Sequence, residues 1–275
     1  MEIQSQRILL TGAAGGIGQA LARELAARGA RLGLVGRSSG PLIHLAAELN
    51  GGPGEALAIA ADLTSVSGRE ATRRAMLQGF GGIDVLINNA GVTDFTNFVE
   101  QDPEVIERIF ALNVLAPMQL TRALLPELLG QGRGQIVNVG SVFGSIAFPC
   151  FASYSASKFA LRGFSEALRR ELDGSGVGVT YVAPRAVKTR LNSPAVYRMA
   201  AAVKMNMDDP EVVARQVVRA VESDKKEVYL GFPETLFVRI NALLPRLVDG
   251  GLRKQIRVMQ RFTQGPVDPK PEPMP

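Results

Sequence analysis

Apolar residues in this chain fall into short unbroken runs that alternate with stretches of helical spacing. Arg7-Ile8-Leu9-Leu10-Thr11 is the first run, a buried strand that stops at Gly12. Ala20, Leu21, Leu25 and Ala26 follow at helical spacing, and Gly29 ends that helix. Arg31 to Val35 reads as a second strand. Leu42 to Leu49 reads as a helix closed by Asn50-Gly51-Gly52-Pro53-Gly54, and Ala56 to Ala60 as a third strand. A more polar helix, Val66 to Gln78, leads to a strand over Ile83 to Ile87. Asp102-Pro103 supplies a capping side chain and a proline suited to the first helical position. The helix it starts runs to about Leu129 and is expected to bend or break near Pro117 or Pro126. Gln135 to Val139 is a fifth strand, Phe151 to Leu172 a long helix and Val177 to Val182 a sixth strand. Pro210 to Val221 is helical and Glu227 to Leu230 is the last strand.

Strands that alternate with helices and mostly lack period-2 polarity predict a parallel sheet covered on both faces. The expected architecture is one doubly wound α/β domain of about seven strands over residues 1–231. Beyond it, Phe232 to Phe262 interleaves Leu236, Phe237, Ile240, Leu243, Leu244, Leu247 and Val248 with arginines, then Leu252, Ile256, Val258 and Met259. That pattern predicts two amphipathic helices, separated at Asp249-Gly250-Gly251. Residues 263–275, proline-rich from Pro266, are expected to be disordered.

Composition narrows the chemistry. Hydrophobic residues make up 46% and charged residues 21% of the 275, an ordinary globular balance. The N-terminal Met1 to Gln6 has no basic segment leading into an apolar run, so no secretory signal is expected. Nowhere do 18 apolar residues run together, which argues against a spanning helix. The single cysteine, Cys150, excludes an internal disulfide and any multi-cysteine metal site; packing is its expected role. The single histidine, His44, makes a His-dependent triad improbable, and no metal site is expected. The net charge of +5 is concentrated: residues 235–262 carry six basic side chains against Asp249 alone. With few aromatics beside that cluster, nucleic acid is not an expected partner.

Two stretches carry candidate chemistry. In Ser153-Tyr154-Ser155-Ala156-Ser157-Lys158, a tyrosine and a lysine four residues apart share one helix face. A phenol ordinarily loses its proton near pH 10, and a nearby ammonium favours the phenolate. The pair is therefore a candidate general acid or base. The second stretch, Gly12-Ala13-Ala14-Gly15-Gly16-Ile17-Gly18, lies between a strand and a helix. There Gly12 allows a tight turn, Gly16 a close approach of pyrophosphate, and Gly18 close helix–strand packing. The helix N-terminus offers free N–H groups to phosphate.

Taken together, these motifs strongly resemble the short-chain dehydrogenase/reductase family. Thr11-Gly12-x-x-x-Gly16-Ile17-Gly18 is similar to its cofactor loop, and Asn88-Asn89-Ala90-Gly91 to its sheet-stabilising motif. Asn113, Ser141, Tyr154 and Lys158 match its four catalytic positions, and Asp62-Leu63 falls where the family contacts adenine. The resemblance covers about residues 5–230 and implies a Rossmann-like domain, a nicotinamide cofactor and carbonyl–alcohol chemistry. It implies that Tyr154 exchanges the proton, Lys158 lowers the tyrosine pKa and bonds the nicotinamide ribose, Ser141 stabilises charge on the substrate oxygen, and Asn113 holds a water. Asn89, Ala90, Gly91, Pro184, Val187 and Thr189 would complete the cofactor contacts. The resemblance also implies a homodimer or homotetramer, formed through helices near 103–129 and 151–172.

Val35-Gly36-Arg37-Ser38-Ser39 has no acid at position 36, and Arg37 suits a 2′-phosphate, so NADP(H) is expected over NAD(H). Arg185 replaces a family glycine in Pro184-Arg185-Ala186-Val187-Lys188-Thr189. A positive φ there would be costly; the side chain would otherwise reach toward substrate or a cofactor phosphate. The expected pocket is framed by the apolar segment 142–152 and by 190–209, with Leu191, Met199, Met205 and Met207, which favours an apolar or acyl-chain substrate. For the basic extension 233–262, a covering helix, an oligomer contact and peripheral contact with an anionic membrane all stand open. The expected compartment is the cytoplasm, or the inner face of a membrane. A nucleotide-binding scaffold without turnover is the rival function. Nucleoside-sugar epimerase chemistry shares the Tyr-Lys pair but needs a larger substrate domain.

Overall fold

A computed structural model describes residues 1–263; the proline-rich tail lies outside the described residues. The first half of the sheet is built from β1 (Arg7–Thr11), α1 (Gly16–Ala26), β2 (Arg31–Gly36), α2 (Ser39–Leu49), β3 (Glu55–Ala60), α3 (Val66–Phe80) and β4 (Val85–Asn88). The second half comprises α4 (Pro103–Phe110), α5 (Ala116–Gly130), β5 (Gly134–Val139), α6 (Ala152–Glu171) and β6 (Val177–Ala183). A small excursion follows: β7 (Ala186–Val187), α7 (Pro194–Ala202) and β8 (Met207–Asp208). Then come α8 (Pro210–Glu222), β9 (Glu227–Tyr229), α9 (Glu234–Leu243) and α10 (Pro245–Thr263).

All seven strands of the main sheet run parallel, in the order β3-β2-β1-β4-β5-β6-β9. Successive residues of a strand point to opposite faces, and here both faces are apolar. Ile8 and Leu10 pack into one core with Leu21 and Leu25 of α1, Leu42 of α2 and Val217 of α8. Leu9 packs into the other, with Met76 of α3, Leu120 and Leu124 of α5 and Leu168 of α6. Strand order reverses between β1 and β4, which opens a crevice at their carboxyl ends.

The interior also carries polar ties. Asn88 Nδ2 donates to Asn138 Oδ1 at 2.8 Å, and Asn138 Nδ2 to Ser165 Oγ at 2.8 Å, linking β4, β5 and α6. At the opposite end, Arg7 grips Asp84 through Nε (2.8 Å) and a terminal nitrogen (2.7 Å). Burial pushes the Asp84 carboxyl up, but the Arg7 side chain and backbone N–H together hold it below the ordinary carboxylate range. That contribution is present above the unfolded carboxylate pKa of about 4 and is lost as pH falls.

Proline decides two helix boundaries. Pro117 cannot donate to the Asn113 carbonyl, and the chain widens just before it into a π turn over Ala111–Leu115, while Pro126 is accommodated inside α5. The expected bend therefore falls at the first proline. The break in the C-terminal extension does not fall at Asp249-Gly250-Gly251 as its glycines suggest. It falls at Leu244, whose backbone (φ −135°, ψ 62°) has left the α region that a following proline disfavours, and Pro245 opens α10. The two glycines cost about 1 kcal/mol each against alanine. The helix crosses them because Val248 on one side and Met259 on the other are packed against the body. Pro103–Gly130 has the length and apolarity to cross a bilayer, though its 18-residue apolar window is 44% buried. Ile109, Leu120, Leu124 and Leu128 are in the protein interior.

Candidate active site

The glycine loop sits at the crevice. Gly12 has φ +66°, and a Cβ there would stand 2.8 Å from Ala90 Cα. A Cβ on Gly18 would meet the Gly12 carbonyl at 2.1 Å, so this turn of α1 can touch β1 only as glycine. A Cβ on Gly16 would come within 2.6 Å of Thr189 Cγ2. Gly15 precedes α1 with no side-chain cap, and the first turn holds no acid, leaving its N–H groups turned to the crevice. Asn89 locks the far wall: its Nδ2 donates to the Thr11 carbonyl at 3.0 Å, while the Asn89 and Ala90 N–H groups both bond Thr11 Oγ1 at 3.0 Å.

A cleft of about 1050 Å³ lies over this loop, lined by Gly12, Gly16, Ile17, Gly18, Arg37, Asp62, Leu63, Asn89, Ala90, Gly91 and Thr189. Its glycine cradle and uncapped helix N-terminus fit a dinucleotide pyrophosphate. Asp62 Oδ1 accepts from Thr64 N (2.9 Å) and Thr64 Oγ1 (2.7 Å), and these bonds, with the nearby Arg37, hold its carboxyl below the ordinary value. Among the described residues Arg37 has no ion-pair partner and is exposed at the rim.

Adjoining the cleft, and sharing Ile17, Thr189 and Leu191 with it, is a chamber of about 100 Å³ lined by Ser141, Tyr154, Pro184, Val187, Phe143, Phe151, Met199 and Met205. Met207, expected on this wall, instead belongs to β8, where it pairs with Ala186. Tyr154 is held edge-on to Phe143, with ring centroids 6.3 Å apart. Ser141 is fixed from below by Tyr181 of β6, whose hydroxyl donates to the Ser141 carbonyl at 3.2 Å. The sequence gives no sign of this, because Tyr181 lies within an apolar strand run. Pro184 contributes its carbonyl to the Val142 N–H at 2.9 Å, closing the loop after β5.

Burial pushes the Tyr154 phenol up to about 12, opposed by the neighbouring Ser141 hydroxyl. Burial brings the Lys158 ammonium down to about 8. Lys158 Nζ lies 5.7 Å from the Tyr154 ring centroid and donates to the Val139 carbonyl at 3.1 Å. The direction at Tyr154 is thus set by desolvation, opposite to the lowering that the Tyr-Lys spacing alone suggests. Asn113 is buried beside this pair and tied into the protein by its side chain. Its Oδ1 accepts from Val92 N (2.9 Å) and its Nδ2 donates to Val92 O (2.9 Å) and Ser157 Oγ (3.0 Å), so both amide hydrogens are spent within the protein. Ser157 Oγ in turn donates to the Tyr154 carbonyl at 2.7 Å, so Asn113 and Ser157 together fix the helical turn that carries Tyr154.

Arg185 lines the chamber, but its guanidinium is taken up by carboxylates of the protein. Its backbone lies outside the left-handed region. Its guanidinium grips Asp208 through Nε (3.0 Å) and a terminal nitrogen (2.7 Å), and bonds Glu234 at 3.0 Å and the Phe232 carbonyl at 3.2 Å. The residue thus ties β8 to the root of the C-terminal helices. Cys150, half-buried, packs beside Phe95 and Phe143, and burial raises its thiol pKa, the opposite of an activated nucleophile.

Comparisons with known proteins agree with this geometry. The short chain dehydrogenase family profile matches residues 6–200. Dehydrogenase/reductase SDR family member 7B of Bos taurus is 33% identical over 258 residues, covering 89% of this chain and 79% of that protein. Ketoacyl reductase HetN of Nostoc is 35% identical over 233 residues, covering 82% and 78%. Among solved structures, a short chain dehydrogenase/reductase from Burkholderia phymatum in complex with NAD superposes with a TM-score of 0.82 at 25% identity, over 90% of this chain and 96% of that one. The 3-ketoacyl-(acyl-carrier-protein) reductase of Brucella melitensis, complexed with NADH, gives 0.76 at 27% identity, over 82% and 96%. The chain belongs to the short-chain dehydrogenase/reductase family of oxidoreductases.

Proposed function

We propose that this oxidoreductase interconverts a carbonyl and a secondary alcohol on an apolar or acyl-chain substrate, using NADP(H), with Tyr154 as general acid and base. The observation that carries the reading is the junction of the nucleotide-sized cleft with the apolar chamber, where Tyr154 and Ser141 sit together. When bound, the nicotinamide supplies or accepts the hydride. In reduction, a phenol with a pKa of about 12 stays protonated at neutral pH and can donate to a carbonyl oxygen. Ser141 stabilises the charge that develops on that oxygen. Lys158, still cationic at pH 7, favours return of the phenolate in the oxidative direction. Asn113 acts on Tyr154 through Ser157. The chamber walls favour an apolar substrate, and the names of HetN and the Brucella enzyme point to ketoacyl chains as the first class to try.

Arg37 carries the cofactor preference. The two solved relatives described above hold NAD and NADH, yet this chain ends β2 without an acid and places a free guanidinium at the cleft rim. A charged hydrogen bond of about 1.5–3 kcal/mol corresponds to roughly 10–100-fold in affinity. Arg37→Ala is expected to lower kcat/KM for NADPH by that factor and to leave NADH within a few fold. A wild-type enzyme that prefers NADH would overturn the assignment.

Two surfaces suit partners. Leu115, Met118, Leu129 and Phe159 are exposed on α5, α6 and the π turn, which fits a homodimer or homotetramer through these helices; sedimentation velocity reads it directly. At the elbow between α9 and α10, Phe237, Leu243, Leu244 and Leu247 are exposed beside Arg239 and Arg246. This tip, rather than the whole of 233–262, is the part suited to an anionic membrane, because the inner face of α10 is already used against the protein. Wild-type protein is expected to co-sediment with phosphatidylglycerol vesicles, and the double variant Leu244→Asp/Leu247→Asp to stay in the supernatant. Equal behaviour of the two proteins removes the proposal. A cytoplasmic protein that visits the inner membrane face is the localisation this reading implies.

A further inference from the structure

The chamber beside Tyr154 is small for the substrate class proposed above. At about 100 Å³ it holds the volume of roughly three waters, enough for a carbonyl and a few carbons. Its far wall is Phe151, Val196 and Met199, and directly behind that wall stands α10. Met259 of α10 is fully buried against these residues, and Phe262 packs beside it. The seam between α7 and α10 is a core of its own, separate from the two that cover the sheet, with Phe151, Val196, Met199 and Met259 as its buried members. It is rich in methionine, whose unbranched chain repacks at low cost around an inserted group. The last turn of α10 is held by a hydrogen bond from Asn97 Nδ2 to Thr263 Oγ1 at 2.9 Å. Parting α7 from α10 would therefore open neither main core.

We infer that the α7–α10 seam is a second binding subsite, which takes the alkyl tail of a substrate whose carbonyl lies in the chamber at Tyr154. The inference rests on the carbonyl–alcohol reading of that site and extends it to the length of the substrate. The tail leaves the chamber between Val196 and Met199 and replaces their contacts with Met259 and Phe262 by its own methylenes. Each methylene buried is worth about 0.8 kcal/mol, close to four-fold in kcat/KM when the contact persists in the transition state. Short ketones end inside the chamber and never meet α10.

The chain contains no tryptophan, so Phe262→Trp places a single reporter in the seam. Saturating dodecan-2-one in the presence of NADP⁺ is expected to shift its emission maximum, and butan-2-one is expected to leave it unchanged. In parallel, Met259→Trp, which fills the seam, should lower kcat/KM for dodecan-2-one at least 10-fold relative to butan-2-one. Met259→Leu, close to it in volume, should keep the wild-type ratio. Turnover of long ketones with no emission shift, or an equal fall for both ketones in Met259→Trp, overturns the seam subsite alone. Emission shifts without turnover of any carbonyl keep the subsite and overturn the chemistry proposed at Tyr154.

Discussion

Tyr154→Phe is expected to lower kcat by roughly 10³-fold, within the range of 10²–10⁴ that a positioned general acid or base contributes. The change removes one oxygen and keeps the ring. The edge-on contacts with Phe143 and Phe151 survive, so the chamber wall is unchanged. The glycine loop, Asn89 and the α1 N-terminus lie in the adjoining cleft, so NADPH affinity, read by fluorescence titration, should stay within a few fold. Loss of turnover together with loss of cofactor binding would mean that Tyr154 holds the site together rather than moving a proton. Full turnover would mean that the proton goes elsewhere.

The second large effect has the opposite sign for stability. Lys158 is 4% exposed, donates to the Val139 carbonyl and is brought by burial down to about 8. Below pH 8 both folded and unfolded chains hold the proton, and the folded state carries the full cost of a buried cation. Between pH 8 and the unfolded value near 10.5 the unfolded chain holds more protons, so stability rises with pH. The cost is on the order of 3 kcal/mol. Lys158→Met removes it and leaves the Val139 carbonyl short of one bond, which returns about 1 kcal/mol. Denaturant titration at pH 7 should therefore find the variant more stable and inactive, with its advantage shrinking as pH approaches 10. A variant less stable at pH 7, or an advantage independent of pH, contradicts a lysine held for function at the expense of stability.

Much of this was legible in the chain because it lies in local pattern. Ile8-Leu9-Leu10 is apolar on both faces because helices cover both, and that alone distinguishes a parallel sheet from a half-solvated one. Gly12, Gly16 and Gly18 are forced by contacts within one strand–turn–helix unit, so their spacing carries the geometry with it. What failed to show depends on residues far apart in sequence. Arg185 meets Asp208 and Glu234 across 23 and 49 residues, and Met259 meets α7 across about 60. The paired strands Ala186–Val187 and Met207–Asp208 are too short for any period to register. Gly250-Gly251 was the misleading signal: local propensity favoured a break there, but packing at both ends of α10 outweighed it, while Pro245 imposed the break covalently. The Tyr154 phenol shows the same limit, since spacing reports the neighbouring cation but not the burial that dominates it.

The most direct test of the central claim follows one atom. NADPH deuterated at the transferable C4 position is incubated with an apolar ketone, and the alcohol product is examined by mass spectrometry. The account predicts one deuterium at the carbinol carbon with the wild-type enzyme and only trace label with Tyr154→Phe. Bound cofactor that passes label to no ketone of any chain length, or equal label with Tyr154→Phe, would contradict it.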